Sequence, residues 1–218
     1  MPPCRYLREM NISMQKNNFY LFGASGHGMV IAEIIESAGH IVKGFLDADT
    51  SIKELLGYTV KHQLEAISFD DTDQWIISVG KNSTRKRLAE SHTLQYGKVI
   101  HPSAILSSRC TIAEGTVAMA GVTINSKAQI GKHVILNTGC SVDHECIIGD
   151  YVHLSPHAVL PGNVSVGEGT HIGTGAIVIP GIKIGKWCTI GAGSVIIKDV
   201  PDGATVVGVP GRIVKVVS

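Results

Sequence analysis

The chain has 218 residues, with 25 Gly but only 4 Phe, 5 Tyr and 2 Trp, while apolar residues still make up 44%. This much glycine excludes an ordinary helical bundle, because each Gly inside a helix costs about 1 kcal/mol, and the abundant Val, Ile and Leu exclude disorder. A formal net charge of +1 at pH 7 gives no field that attracts nucleic acid, and no apolar run is long enough for a membrane span.

Residues 1–17 are predicted to form a flexible leader. They carry charged residues and lack the apolar core of a secretory signal peptide. We therefore expect a cytoplasmic protein without membrane insertion.

Residues 18–98 are predicted to form a small α/β domain of Rossmann type. Apolar runs predict three buried strands, at 19–24, 41–46 and 74–79. Two helices are predicted, at 29–38 and 83–93. Because right-handed crossovers make such strands parallel, the turns that follow them lie on one edge of the sheet, where ligands bind.

The turn after the first strand is glycine-rich and reads Gly-Ala-Ser-Gly-His-Gly at 23–28. The spacing of its glycines departs from the G-x-G-x-x-G fingerprint of dinucleotide-binding proteins, so the sequence does not favour NAD as a ligand. Asp47 ends the second strand, where an acid can meet a ribose or a base edge. The phosphates of a nucleotide can then lie over the turn, near the helix N-terminus, with His27 facing outward beside them.

Residues 99–218 contain a strict six-residue repeat. Every sixth residue from Ile100 to Ile196 is Ile, Leu or Val, with Ala118 as the exception. The periods of a helix or a flat strand cannot sustain this pattern, whereas a parallel β-helix has one short strand and one corner in each unit. Three units make one coil, so residues 18 apart lie one above the other, about 4.8 Å apart.

A second series, two residues before each aliphatic position, consists of small or β-branched residues. It is predicted to fill the narrow space beside the corners of the β-helix. Four of the five cysteines belong to this series, and we interpret them as reduced core residues without a disulfide framework: Cys110, Cys140, Cys146 and Cys188.

His144 is the histidine whose neighbours suggest chemistry. Asp143 and Glu145 flank it, and adjacent carboxylates can fix the tautomer of an imidazole and raise its basicity. The residue one coil further on is Gly162, whose backbone N–H is a candidate oxyanion donor. A surface histidine beside two acids is the alternative interpretation.

His153 and His171 are also 18 residues apart, so they are expected to stack on another face of the β-helix. His153 is half a coil from His144, and one chain is not expected to bring the two into one site. Two chains packed side by side can do so, which predicts a site between subunits.

Residues 20–212 resemble the hexapeptide-repeat nucleotide-sugar acetyltransferases of bacteria, a family that includes UDP-4-amino-sugar N-acetyltransferases and sialic acid O-acetyltransferase-like members. The motifs that carry the resemblance are the turn at 23–28, Asp47, Gly80-Lys81-Asn82, the repeat segment 135–158 and Gly-Val-Pro-Gly-Arg at 208–212. In some members two acids stand in a row where this chain has Asp47-Ala48.

The resemblance implies a left-handed β-helix, a homotrimer, and acetyl-CoA as co-substrate with no metal. It makes His144 the general base and Glu145 the acid that increases its basicity. It also assigns the binding residues: Ser25, Gly26, His27, Asp47 and Gly80 for the nucleotide sugar, and His153, Gly162, Thr174 and Ala192 for acetyl-CoA.

The predicted activity is therefore direct transfer of acetyl from acetyl-CoA to the 4-amino group of a nucleotide-linked sugar, with UDP as the expected nucleotide, in surface-glycan synthesis. An O-acetyltransferase acting on sialic acid or another glycan hydroxyl is the alternative within the same fold. A zinc-dependent β-helix carbonic anhydrase and a non-catalytic nucleotide-sugar sensor are the remote alternatives.

Overall fold

A computed structural model describes residues 16–217 of the chain. The predicted leader, residues 1–17, therefore lies almost entirely outside the described residues. The described part has a small α/β region followed by a parallel β-helix, which confirms the predicted fold class.

The α/β region has one five-stranded sheet and two helices. In chain order these are β1 (Asn18–Phe22), α1 (Gly26–Ser37), β2 (Ile41–Leu46), β3 (Glu54–Leu55), β4 (Tyr58–Lys61), β5 (Gln74–Ile77) and α2 (Asn82–Ser91). The strand order is β3-β4-β2-β1-β5. Strands β1, β2, β4 and β5 are parallel, and β3 pairs antiparallel with β4.

Two features differ from the sequence-based expectation. The hairpin of β3 and β4 was not predicted, because its strands are short and alternate poorly between apolar and polar residues. Helix α1 begins at Gly26 and not at 29. Gly28 permits this early start, because any residue with a Cβ at this position would bring that atom to 2.6 Å from the Gly23 carbonyl oxygen.

The β-helix consists of two-residue strands that each end on a residue of the six-residue series. They are β6 (Val99–Ile100), β7 (Ile105–Leu106), β8 (Thr111–Ile112), β9 (Val117–Ala118), β10 (Thr123–Ile124), β11 (Gln129–Ile130), β12 (Ile135–Leu136), β13 (Ser141–Val142), β14 (Ile147–Ile148), β15 (His153–Leu154), β16 (Val159–Leu160), β17 (Ser165–Val166), β18 (His171–Ile172), β19 (Ile177–Val178), β20 (Lys183–Ile184), β21 (Thr189–Ile190) and β22 (Val195–Ile196).

Every third strand stacks in register, so the β-helix has three walls. We call the wall that contains β6, β9, β12, β15, β18 and β21 the first wall. The second wall contains β7, β10, β13, β16, β19 and β22, and the third contains β8, β11, β14, β17 and β20. Strands β23 (Ala204–Val207) and β24 (Arg212–Val216) extend the first wall at its C-terminal end.

The core of the β-helix contains the two predicted series. The aliphatic positions from Ala118 onward are buried, whereas Ile100, Leu106 and Ile112 are half-buried because no coil lies above them. Cys140, Cys146 and Cys188 are buried among them as free thiols, and Cys110 is half-buried. This confirms the interpretation of these four cysteines as core residues.

One corner position repeats with a left-handed backbone conformation. All fourteen residues spaced by six from 115 to 193 have positive φ, and only half of them are glycine: Gly115, Gly121, Lys127, His133, Gly139, Glu145, Tyr151, His157, Asn163, Gly169, Gly175, Gly181, Trp187 and Gly193. The positive φ of Glu145, 59°, is therefore a property of the corner and not a sign of strain at a site.

The N-terminal region packs on the first wall. Side chains of α1, including Ile31 and Ile35, share a buried cluster with Val99, Val117 and Ile135 of that wall. Beyond Ile135, the wall positions are His153 and His171, which are only partly covered, and Thr189, which is exposed. None of the helices in the described chain is long and apolar enough to cross a membrane.

A buried histidine at this junction makes the stability of the protein depend on pH. His133 is 3% exposed, its ring stacks on Tyr151 and meets the edge of Tyr96, and burial lowers its pKa from 6.5 to about 4. The unfolded chain binds this proton first as the pH falls, so the stabilisation present above pH 6.5 is lost as pH falls towards 4.

We therefore expect the His133→Phe variant, which keeps an aromatic ring at this position, to depend less on pH. Between pH 6.5 and 4 the slope of its unfolding free energy should be smaller by up to about 1.4 kcal/mol per pH unit. Denaturant unfolding of both proteins at a series of pH values measures this slope. Equal slopes for the two proteins would contradict a neutral, buried His133.

Candidate active site

His144 lies on the corner between the second and third walls, with its ring exposed to solvent. The corner follows β13, which ends at the buried Val142. The imidazole lies over Gly162 of the next coil: a Cβ on that glycine would be 2.4 Å from His144 Cε1 and 2.5 Å from Nε2. The predicted stacking of His144 over Gly162 is thus present, and glycine provides the space for it.

The two flanking acids have different partners. Glu145 Oε2 is 3.2 Å from His144 Nδ1, whereas Asp143 accepts the backbone N–H of His144 and the side-chain amide of Asn125, each at 2.7 Å. The hydrogen bond from His144 and the nearby Lys127 hold the pKa of Glu145 below its usual value. Glu145 therefore hydrogen-bonds to the imidazole, whereas the hydrogen bonds of Asp143 go to the backbone of the corner and to Asn125.

This arrangement leaves Nε2 as the nitrogen that can accept a proton. A carboxylate beside Nδ1 favours the tautomer protonated at Nδ1, so the lone pair is on Nε2, above Gly162. Among the residues that the structure describes, none accepts a hydrogen bond from the Gly162 N–H. A free donor and a free base thus lie next to each other on an exposed corner.

His27 and His153 meet where the N-terminal region contacts the first wall. His27 is in the first turn of α1, and its ring centroid is 6.4 Å from that of His153. It faces the β-helix, which corrects the expectation that it faces outward. Its Nε2 is buried without a hydrogen-bond partner, whereas the neighbouring Ser25 and Gly26 are exposed.

Both histidines are neutral in this environment. Burial, and next the charge of Arg85, lowers the pKa of His27 to about 4. Burial also lowers the pKa of His153 to about 3, followed by the effects of His171, Arg85 and His27. His153 and His171 stack with ring centroids 5.0 Å apart, as their 18-residue spacing predicts. Neutral imidazoles can donate to or accept from a ligand without a charge penalty.

Asp47 braces the glycine-rich turn. Its two carboxylate oxygens accept the backbone N–H groups of Ala24, at 2.7 Å, and Asp49, at 2.9 Å. The residue thus ties the end of β2 to the turn that precedes α1. A carboxylate has about four acceptor sites, so these bonds leave capacity for a ligand hydroxyl.

A cleft of about 400 Å³ opens between the N-terminal region and the first wall. Gly80 and the first residues of α2 line one side, and His153, His171 and Thr189 line the other, with Trp187 at the far end. The cleft therefore joins the predicted nucleotide-sugar residue Gly80 to the predicted acetyl-CoA residue His153 within one chain.

The remaining predicted residues lie elsewhere. Thr174 and Ala192 are exposed and stack on the corner between the first and second walls. His144 and Gly162 are on the opposite edge of the second wall. Within one chain, these residues therefore form two groups. His144 and Gly162 are separated from Thr174 and Ala192 by the width of the second wall.

Two polar partners of the histidines were missed in the sequence. Asn137 donates its amide to His153 Nε2 at 3.3 Å, and Ser155 Oγ is 2.7 Å from His171 Nε2. Asn137 and Ser155 are 18 residues apart, as are the two histidines. The sequence pattern that reveals these partners is a polar residue 16 positions before each histidine. The two polar residues are themselves one coil apart.

The described residues 16–217 contain no group of three or more His, Cys, Asp or Glu side chains that could hold a metal ion.

Comparison with protein families gives two matches along the chain. Residues 18–92 match the model of the PglD N-terminal domain. Residues 127–162 and 163–198 match the bacterial transferase hexapeptide model of six repeats. The matches correspond to the α/β region and to the middle and C-terminal coils of the β-helix.

Three proteins of named function are similar to this chain. UDP-N-acetylbacillosamine N-acetyltransferase of Bacillus subtilis (strain 168) is 41% identical over 47% of this chain, and the match spans about half, 51%, of that protein. A His-to-Asn variant of perosamine N-acetyltransferase from Caulobacter crescentus, in complex with CoA and GDP-perosamine, is 36% identical, with a TM-score of 0.84 over 90% of this chain and 96% of that chain.

The third is the acetyltransferase domain of PglB from Neisseria gonorrhoeae FA1090 in complex with acetyl coenzyme A. It is 34% identical to this chain, with a TM-score of 0.86 over 92% of this chain and 100% of that chain.

Proposed function

The chain belongs to the family of hexapeptide-repeat acetyltransferases with a PglD-type N-terminal domain, and we propose that it acetylates the 4-amino group of a nucleotide-linked sugar from acetyl-CoA. The observation that carries this proposal is His144, with its Nδ1 beside Glu145 and its ring over Gly162, whose N–H has no acceptor among the described residues. The relatives that bind CoA with GDP-perosamine, or acetyl coenzyme A, support the two ligand classes.

The reaction needs a base because an ammonium group cannot attack a carbonyl carbon. Nε2 of His144 takes a proton from the amine as its nitrogen attacks the thioester, and the Glu145 carboxylate stabilises the imidazolium that forms. The Gly162 N–H donates to the oxygen of the thioester carbonyl as negative charge develops on it. The C–S bond then breaks, and the thiolate of coenzyme A takes the proton from the His144 imidazolium and leaves as the thiol, which returns His144 to its neutral form.

No cysteine is required as a nucleophile. Burial raises the pKa of Cys140 to about 12 and also raises that of Cys146, so both thiols stay protonated at neutral pH. Direct transfer without an acyl-enzyme is therefore the route that suits the residues of the exposed corner.

The nucleotide sugar is proposed to lie at the edge formed by the glycine-rich turn, Asp47 and Gly80. The exposed Ser25 and Gly26 supply donors for the phosphates there, and His27 lies behind them, beside His153. The sugar then extends towards His153, which we propose contacts the acetyl end of acetyl-CoA. UDP is the nucleotide that we propose, for a role in surface-glycan synthesis in the cytoplasm.

A homotrimer is proposed because it unites the two groups of residues. The outer face of the second wall carries the exposed apolar side chains Ile105, Val159 and Ile177, which suit burial against a second copy. If this wall faces a threefold axis, the His144 corner of one chain meets the Thr174 and Ala192 corner of its neighbour. His153 is on the wall next to that second corner.

The proposed function is tested by thiol release from acetyl-CoA over a panel of UDP-, dTDP- and GDP-linked 4-amino sugars, each paired with its 4-hydroxy counterpart. We expect release with at least one amino sugar, an N-acetylated product by mass spectrometry, and none with its hydroxy partner. Release with hydroxy sugars alone would replace the proposal with O-acetylation, and no release with any acceptor would reject it.

The Gly162→Ala substitution tests whether the His144 ring needs the room that the glycine leaves beneath it. The new Cβ would be 2.4–2.5 Å from ring atoms of His144, so the imidazole must move, and kcat should fall by about tenfold to a hundredfold. In a His144→Ala background the same substitution should cost little further activity. A normal kcat for Gly162→Ala, or an equal loss in both backgrounds, would contradict the coupling of these two residues.

A further inference from the structure

Arg85 is a buried cation that belongs neither to the His144 corner nor to the lining of the cleft. It is on α2, is 1% exposed, and none of its hydrogen bonds within the described chain goes to a carboxylate. Burial lowers its pKa to about 9, which leaves it charged at neutral pH. A charge buried without a counter-ion is costly, so its hydrogen bonds must compensate.

Those bonds join the two parts of the chain. Arg85 Nε donates to the His133 carbonyl at 2.8 Å and Nη2 donates to the Tyr151 carbonyl at 2.7 Å, both in the β-helix. Nη1 donates to the carbonyls of Val79 and Gly80, each at 3.1 Å, in the segment between β5 and α2. The planar fork of a guanidinium is suited to this, because one rigid group satisfies acceptors in several directions.

Asn82 strengthens the same connection. Its side-chain oxygen accepts from Arg85 Nη2 at 3.0 Å, and its amide donates to the Gly169 carbonyl of the β-helix at 2.9 Å. The first turn of α2 is thus bonded to the wall that forms the floor of the cleft.

Gly80 links Arg85 to the cleft that His153 lines. Its carbonyl accepts from Arg85 Nη1, and Gly80 and His153 line the same cleft from its two sides. The buried guanidinium therefore holds the loop that lies across the cleft from the His153 imidazole.

We propose that Arg85 is a positioning residue that holds the Gly80 loop against His153 and so sets the distance between the nucleotide-sugar edge and the β-helix. This inference rests on the proposed function for its kinetic consequence. The hydrogen bonds of Arg85 do not depend on the proposed function, because they form within the chain without any ligand.

A second consequence is electrostatic. Burial lowers the pKa of His27, His153 and His171, and the charge of Arg85 lowers the pKa of each of them further. The titratable and charged groups that act on His153 are His171 on β18, Arg85 on α2 and His27 on α1. Loss of the charge should therefore raise the pKa of these histidines, whereas loss of the fork alone should not.

Two substitutions separate these effects. Arg85→Lys keeps a positive charge but removes the fork, and Arg85→Gln removes both. Arg87→Gln is the matched control, because Arg87 is exposed on the same helix. For both Arg85 variants we expect KM for the nucleotide sugar to rise about tenfold or more, with KM for acetyl-CoA within about twofold of the wild-type value.

The pKa of His153 and His27, followed by histidine side-chain NMR, is the readout that a merely structural role would not move. It should rise in Arg85→Gln and stay near the wild-type value in Arg85→Lys. Thermal melting and gel filtration of each variant establish that it is folded. Wild-type values of KM and pKa in folded variants, or loss of the fold in both, would overturn the positioning role.

The NMR titration also distinguishes failure of this inference from failure of the proposed function. If the wild-type protein acetylates no sugar, the histidine pKa values still report whether Arg85 acts on the cleft. If it acetylates an amino sugar and the Arg85 variants match Arg87→Gln, only the inference about Arg85 fails.

Discussion

Replacing His144 with alanine is expected to lower kcat by about 10²- to 10⁴-fold, the range for loss of a positioned general base. The ring is exposed on a corner, where it lies over Gly162 and beside Glu145, so the fold should tolerate its removal. The backbone bonds of the corner remain, because Asp143 accepts the backbone N–H of residue 144 and not the ring. KM for both substrates should change little.

His40→Ala is the matched control for this substitution. His40 is half-buried at the amino end of β2, on the sheet edge opposite the glycine-rich turn, and its ring packs near Phe19. Its loss should leave kcat within about twofold of the wild-type value. Steady-state kinetics and thermal melting of both variants make the comparison, and a near-normal kcat for His144→Ala would exclude this histidine as the base.

Glu145→Gln should have a smaller effect of the same kind. An amide at this position still hydrogen-bonds to Nδ1 but cannot stabilise an imidazolium by charge. A loss of kcat of about tenfold is therefore expected, well short of that for His144→Ala.

The β-helix was predictable residue by residue because its stacking leaves no freedom of register. Each strand ends on a residue of the six-residue series, from Ile100 to Ile196. An insertion of one residue would move every later side chain to another position on the coil. The same register predicts His144 over Gly162 and His153 against His171, and both pairs are present in the structure.

The contacts between the two parts of the chain were not predictable in this way. Arg85 stands between Thr84 and Lys86 in a basic helix, and nothing in its local sequence distinguishes it from the exposed Arg87. Its burial depends on carbonyls of residues 133 and 151, far along the chain. His27 was expected to face outward for the same reason: local pattern does not reveal which surface packs over a helix start.

A site shared between subunits predicts that two inactive variants complement each other. If His144 of one chain acts with His153 of its neighbour, two inactive single variants should restore each other when co-expressed. In random trimers of His144→Ala and His153→Ala chains, about a quarter of the sites pair an intact His144 with an intact His153. Activity should therefore reach about a quarter of the wild-type value, and a site built within one chain would recover none.

A second mixture gives a different expected ratio and so tests the same arrangement independently. When wild-type chains are mixed equally with chains that carry both substitutions, a shared site needs two wild-type neighbours and keeps about a quarter of full activity. A site within one chain needs only its own two histidines and keeps about half. Co-expression with two affinity tags, followed by activity per total chain, distinguishes these values and so decides whether the second wall brings two subunits together around one reaction.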